Sequence, residues 1–416
     1  MLASRTRGLF RPISSRATQC LRQQQAAPTC QRPWQLQLQN QQRRHKFTGA
    51  REPRRSLGQN MKVLWRENPF SVTLALGFIA FGIGSWMYIN YIYQSYFIGA
   101  FHKYPEPVAK QLRKAIFYTN YQMDPKLALK YYKEALRVAA DEGMDPFSDE
   151  IIGVKIQVAA LMEKIQQYRK AIEVLEIVKH DCLDWVDKRG SIPGNEGDRT
   201  RILGKTVGIS VKLGELYGNQ YVMEKELAEE RLVWAVETVL RESQRRQREG
   251  IKPGEGEWLS NEENGATMEA LANTYEAKDQ HYLAAPLYLQ AIALSPTTSC
   301  HTTILMNNLS ISLAQQLPPL EPGQKPLPRE VMVSNARSWA EKALAIAAKI
   351  TPPERTDECD VGCAVATHNL GEFAEMDGNI REARKRYEEA KALAKAIGFE
   401  EGVQNSNLAL KRLDKT

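Results

Sequence analysis

The sequence predicts an all-α fold: a solenoid of about six helical hairpins closed by a capping helix and tethered by one N-terminal transmembrane helix. Three observations predict it. Residues 68–101 contain no Asp, Glu, Lys or Arg, and the apolar centre runs from Phe70 to Tyr93. Beyond that run, small residues recur in paired amphipathic segments with a spacing of about 34 residues. The paired segments account for nearly all of the chain after residue 108, and a hydrophobic content of 43% can supply their core.

The chain begins with a leader. Residues 1–51 carry ten Lys and Arg and no Asp or Glu. The start, "MLASRTRGLFRPISSRATQCLRQQQ", is rich in Arg and Ser, and Leu2, Leu9, Phe10 and Ile13 can share one helical face. This composition predicts a mitochondrial transit peptide over 1–47, followed by a basic linker over 48–68. A transmembrane helix is predicted over 69–93. At 1.5 Å per residue its apolar centre reaches roughly 36 Å, enough for a hydrocarbon core of about 30 Å. Trp65 and Phe70 flank one end and Trp86, Tyr88, Tyr91 and Tyr93 the other, as interfacial aromatics do. Ala80 and Gly84 form a small-xxx-small pair suited to close helix packing in lipid.

The flanking charges orient the span. Arg51, Arg54, Arg55, Lys62 and Arg66 precede it, and Lys103, Lys110 and Arg113 follow it. The transit peptide is expected to lead the N-terminus into the matrix, and this modest bias agrees with that arrangement. A juxtamembrane segment, 94–107, and the repeat domain, 108–416, then face the intermembrane space. The chain carries +7 overall, but residues 102–416 alone carry −5. An acidic body argues against a nucleic-acid partner.

The repeats are clearest in "GATMEALANTYEAKDQHYLAAPLYLQAIALSP", residues 265–296. Ala272 and Ala284 let two helices approach, while Leu271, Tyr275 and Tyr288 fill the seam. Ala291 continues the small-residue stripe, and Pro296 ends the second helix because it cannot donate the next backbone hydrogen bond. The pattern returns as Leu370, Gly371, Ala374, Ala383, Tyr387 and Ala390. A third copy has Leu309, Ser310 and Leu313, then Ala336, Ala340 and Ala343, its halves separated by the Pro-rich "PPLEPGQKPLPRE". Leu213, Gly214 and Tyr217 lead to Ala228, Leu232 and Ala235. Weaker copies carry Ala128, Tyr132 and Ala135, and Ala171, Leu175 and Val178; "GVQNSNLALKRLD" reads as the capping helix. These spacings match the tetratricopeptide repeat.

Catalytic motifs are not apparent. H-E-x-x-H and G-x-S-x-G do not occur, and in "LGKTVG" the earlier Gly of a phosphate-binding loop is replaced by Arg199. The six His residues show no metal-ligand spacing. No catalytic, cofactor-binding or metal-binding residue is therefore expected, and the protein reads as a non-enzyme. Cys182, Cys300, Cys359 and Cys363 lie beyond the leader and are too sparse for a disulfide scaffold; Cys359 and Cys363 form a single C-x₃-C and are expected to be reduced thiols.

A solenoid of this kind presents its first helices along a concave surface. Glu215, Glu269, Asn273, Glu276, Asn307, His368, Glu372 and Glu375 occupy the positions of the repeat that tend to face it. They are the candidate polypeptide-binding groove, acidic and amide-bearing, suited to basic or neutral extended segments. The competing reading makes them solvated surface carboxylates.

Leader, single span and repeat body together resemble the fungal tetratricopeptide-repeat adaptor subunits of the mitochondrial i-AAA protease supercomplex. The resemblance covers the architecture of the whole chain, while the repeat motif itself is shared by many proteins. It implies an inner-membrane adaptor that binds unfolded or misassembled membrane proteins. With a second adaptor subunit, it would deliver them to an AAA-family membrane protease. Two other readings stay open: an assembly factor for a respiratory complex, and an outer-membrane import receptor, against which the Arg-rich leader speaks.

Overall fold

The structure is a computed structural model that describes residues 65–316 and 328–415. The transit peptide, most of the basic linker and the Pro-rich insertion at 317–327 lie outside the described residues. Those described fall into two compact units, one ending at Pro105 and one beginning at Glu106.

The first unit is built on α1, Pro69–Ile92. Pro69 starts it, where a missing N–H costs nothing. A π turn, Tyr93–Ile98, and a short 3₁₀ turn, Gly99–Phe101, continue it. No residue of α1 is buried. The Thr73 hydroxyl near its start donates to the Phe70 carbonyl at 3.0 Å, which satisfies it without water. Space is open around Gly77, Gly82 and Gly84, so a neighbouring helix could approach there. α1 is one helix long and apolar enough to cross a membrane.

The second unit consists of helices; among the described residues there is no strand. Six hairpins follow in order: α2 (Glu106–Asn120) with α3 (Pro125–Asp141), α4 (Asp149–Lys164) with α5 (Tyr168–Arg189), and α6 (Glu196–Tyr217) with α7 (Lys225–Glu249). Then come α8 (Asn261–Glu276) with α9 (His281–Leu294), α10 (Cys300–Gln315) with α11 (Arg329–Ala347), and α12 (Asp357–Met376) with α13 (Ile380–Ala396). A last helix, α14 (Glu400–Leu413), packs on α13. The chain thus forms the tetratricopeptide-repeat solenoid that its spacing predicts, six repeats and a cap.

Local chemistry sets the helix starts. Asp124 accepts from the Lys126 and Leu127 amides at 3.0 Å, and Ser148 from the Ile151 amide at 3.3 Å. Ser260 and Glu263 form a reciprocal capping box at the start of α8. Within four of the hairpins a left-handed residue stands two places before the second helix: Gln166, Met223, Asp279 and Gly378. The hairpins therefore turn in the same way even where side chains differ.

The repeat positions form the core. Ala128, Ala171, Ala228, Ala284, Ala336 and Ala383, one per repeat, are all at most 1% exposed. A larger residue four places later fills the space between helices: Tyr132, Leu175, Leu232, Tyr288 and Tyr387 are each at most 1% exposed. In the fifth repeat that place is taken by Ala340. Helix approach is closest at two glycines. A Cβ on Gly214 would lie 2.4 Å from Leu232 Cγ, and one on Gly371 would lie 2.7 Å from Tyr387 Cε1.

Two features were not anticipated. Cys300 and Cys359 form a disulfide, with their Cα atoms 4.7 Å apart. This corrects the expectation of reduced thiols for Cys359; Cys363, one turn later, and Cys182 remain free. The partners are 59 residues apart in sequence, but each sits in the first turn of the first helix of its repeat. Stacking of consecutive repeats brings those turns together. The second feature is a polar seam that runs from the same junction to the capping helix. Asn369 Nδ2 donates to Asn307 Oδ1 at 2.8 Å, and His368 Nδ1 lies 3.2 Å from Ser406 Oγ. Thr303, Ser310 and Thr367, on the same two first helices, are buried and bond to carbonyls of their own helix.

Candidate binding groove

A cleft of about 580 Å³ opens along the first helices of repeats two to four. α4 contributes Ile156, Ala159, Ala160 and Glu163; α6 contributes Arg201, Gly204, Lys205, Gly208, Val211 and Lys212; α8 contributes Ala266 and Thr267. Small residues make the space. Gly208 is exposed, and a Cβ there would meet nothing within 4 Å. Gly204 admits the side chain of Leu259, which would lie 3.4 Å from an added Cβ.

The far wall is a segment between α7 and α8, residues 250–260, which turns Trp258 and Leu259 into the cleft. An ion cluster fixes this segment. Glu255 accepts from Arg245 at 2.7 Å, and Glu242 lies between Arg245 and Arg246, accepting from Arg246 at 3.0 Å. Although burial raises the Glu242 and Glu255 carboxyls, the adjacent guanidinium groups bring both below the ordinary value. Arg246 also lies over the Trp258 ring at 5.8 Å.

The floor is therefore apolar and the rim carries both signs of charge. Arg201 is held by Asp149 at 3.0 Å and Asp198 at 2.9 Å. Lys212 bridges Glu163 and Glu215, each at 3.1 Å. Burial alone would lower the Lys212 pKa, but the two carboxylates hold it above its usual value. Such a surface suits a polypeptide segment with apolar side chains and flanking charges.

The residues expected to form the groove fall into separate places. Glu215 is exposed beside the cleft through Lys212. Glu269 pairs with His301 Nε2 at 2.9 Å, linking α8 to α10 and raising the His301 pKa through that hydrogen bond. Asn273 and Glu276 both receive the Tyr288 hydroxyl, Asn273 at 2.6 Å. Asn307 and His368 are 3% exposed and belong to the polar seam, with Glu372 at 3.6 Å from His368. Glu375 accepts from Tyr387 at 2.7 Å and from Arg412 of α14 at 2.7 Å. The capping helix thus takes up His368 and Glu375, while Asn307 lies inside the stack. Missing from the sequence reading were Trp258 and Leu259; two large apolar residues between a Pro-Gly-rich turn and a helix cap were the available signal. The "LGKTVG" stretch lies in α6, where Gly204 and Gly208 open the cleft.

Glu276 has a testable electrostatic consequence. Its partner hydroxyl has one proton for two acceptors, and burial pushes the Glu276 carboxyl up to about 7. A carboxyl whose pKa rises on folding favours the folded state at low pH, and that support disappears as pH climbs from about 4.5 to about 7. Glu276→Gln is expected to raise stability by about 1–2 kcal/mol at pH 8 and to leave it nearly unchanged at pH 4. Urea unfolding at the two pH values measures the difference; an equal effect at both would refute the assignment.

No family model matches the chain. It is similar to a TPR repeat-containing protein of Schizosaccharomyces pombe, 29% identical over 315 residues, covering 75% of this chain and 79% of the relative. It is also similar to the Saccharomyces cerevisiae protein named Protein MRG3-like, 35% identical over 102 residues, which cover 23% of this chain and 19% of that protein. Among solved structures, BtubC from P. vanneervenii matches 67% of this chain and 93% of its own at a TM-score of 0.46 and 16% identity. A putative kinesin light chain from Podospora anserina matches 59% and 96% at a TM-score of 0.38 and 18% identity. Scores below 0.5 add nothing to the repeat geometry already described.

Proposed function

We propose that this tetratricopeptide-repeat chain is a non-catalytic, membrane-tethered adaptor whose cleft along α4, α6 and α8 holds a segment of a client polypeptide. The cleft carries the proposal: an apolar floor opened by glycines, a rim of both charge signs, and a far wall fixed by ion pairs. Glu215 belongs to its margin, and Glu269, Asn273 and Glu276 extend the candidate surface along α8. The acid-free leader, the apolar helix and the flanking charges support an inner mitochondrial membrane location with the repeats in the intermembrane space. In that setting the clients are unfolded or misassembled membrane proteins. The receiving partner is the i-AAA protease, reached together with a second adaptor. The chemistry of degradation then belongs to the protease.

Gly208→Trp provides the test. The position is exposed and an added Cβ meets nothing within 4 Å, so the indole is carried into the cleft from open space, and removing a mid-helix Gly favours the helix by several tenths of a kcal/mol. In a mild-detergent purification from mitochondria, wild-type protein is expected to bring down an AAA protease together with client polypeptides. The variant is expected to retain the protease and to lose most of its clients, with no loss of thermal stability. Unaltered client capture by the variant would remove the cleft from the proposal. Recovery of a respiratory complex without protease would favour the assembly-factor reading.

A further inference from the structure

The first repeat has a surface that the client cleft does not use. On α2, Lys110, Lys114 and Phe117 follow at intervals of four and three residues, and Tyr121 comes four residues later in the turn. This spacing puts them on one side, opposite the buried stripe of Ala109, Leu112 and Ala115. Phe117 is 45% exposed, Tyr121 68% and Met123 49%. The exposed rings of Phe117 and Tyr121 form a row with the half-buried Tyr118 and Tyr131. Tyr121 stacks on Phe117 at 6.0 Å, Phe117 meets Tyr118 edge-on at 5.3 Å, and Tyr118 stacks on Tyr131 of α3 at 5.6 Å. The Lys114 ammonium caps the row 5.2 Å above Tyr131.

Charge separates this repeat from the rest of the solenoid. Residues 102–141 carry eight Lys and Arg against four Asp and Glu, whereas residues 142–416 carry 34 against 43. The basic character of the body is thus concentrated where the aromatic row is exposed.

We propose that this face of the first repeat lies against an anionic bilayer surface. Aromatic side chains with an apolar body and a polar edge favour the boundary between headgroups and acyl chains, and lysines beside them gain from anionic headgroups. Chain continuity gives the face access to that surface. Residues 93–105 separate α1 from α2, and even fully extended they span no more than roughly 45 Å. A row on the outer side of one helix also matches a flat sheet of headgroups better than an extended peptide, which needs a channel. The proposal rests on α1 crossing the membrane and is independent of what occupies the cleft.

The test uses the full-length protein in lipid nanodiscs of phosphatidylcholine alone and of phosphatidylcholine with phosphatidylglycerol. Hydrogen–deuterium exchange is followed in peptides covering residues 110–131, with peptides from 357–396 as the internal reference. Exchange at the α2–α3 turn is expected to slow at least about tenfold in the anionic discs relative to the neutral ones. High salt should reverse the effect, and the Lys110→Glu/Lys114→Glu double variant should abolish it. Both lysines are exposed, and unchanged exchange in 357–396 verifies that the variant is folded. Equal exchange in the two disc types, or protection that survives charge reversal, would overturn the proposal. A chain that failed to enter the discs would sink the span reading and this proposal with it, a result distinct from entry without lipid-dependent protection.

Discussion

Replacing Cys300 and Cys359 together by alanine is expected to lower the stability of the repeat domain by about 2–4 kcal/mol. The bridge closes a long loop, and cross-linking residues 59 apart removes conformations mainly from the unfolded chain. It also ties together the first turns of two consecutive repeats. There the first helices of repeats five and six meet through the Asn369–Asn307 hydrogen bond, which contributes little net free energy, beside an apolar cluster that includes Ala314, Leu370 and Phe373. Urea unfolding of the double variant measures the loss, and wild-type protein treated with reductant should move to the same midpoint. Cys182→Ala/Cys363→Ala should retain the response to reductant, because neither residue is bridged. A wild-type midpoint insensitive to reductant would show that the isolated protein holds these cysteines as thiols.

Gly214→Val is expected to cost about 3 kcal/mol, at the upper end of overpacking penalties. Its first side-chain atom would overlap Leu232, with all three outer carbons of that leucine within 2.8 Å, and Leu232 is fully buried and has no direction in which to yield. Leu232→Ala alone should cost about 2–5 kcal/mol through the cavity it leaves. Combined, the two substitutions should be less harmful than their sum by at least 0.5 kcal/mol, because the valine occupies part of the space vacated by the leucine. Strict additivity would mean that the two helices do not approach as described. Gly208→Ala, six residues earlier in the same helix, is the control: it enters open space and should stabilise by up to about 1 kcal/mol.

These two substitutions show what was legible in the sequence. Gly214, Ala272 and Gly371 occupy one repeat position, and their small size is demanded by a helix crossing that recurs in every hairpin. Spacing alone therefore locates the crossing and the buried residue facing it. The six hairpins, the capping helix and the apolar helix at 69–92 follow from local periodicity, which a single chain displays openly. The cleft does not. It depends on Trp258 and Leu259, held inward by ion pairs between Glu242, Glu255, Arg245 and Arg246, and no repeat position encodes that arrangement. Likewise Glu375 occupies a position that would face a groove in an unending stack, but the stack ends one helix later and Arg412 claims it. The Cys300–Cys359 bridge was hidden for a related reason: proximity across repeats is set by the stacking of whole hairpins, and sequence distance conceals it.

The bridge has one more consequence, mechanical in kind. On the proposed function, an adaptor fixed in a membrane at one end and working beside a protease that pulls polypeptides would itself come under tension. Force applied at the C-terminus runs along the backbone to Cys359, crosses to Cys300 and continues toward the anchor. The loop between them, with all of α10 and α11, is bypassed and bears no load. The chain's greatest reach shortens by roughly 200 Å, at about 3.5 Å for each bypassed residue. Extraction from the C-terminal end can draw out the cap and most of the sixth repeat, and then it meets a loop that pulling alone does not open.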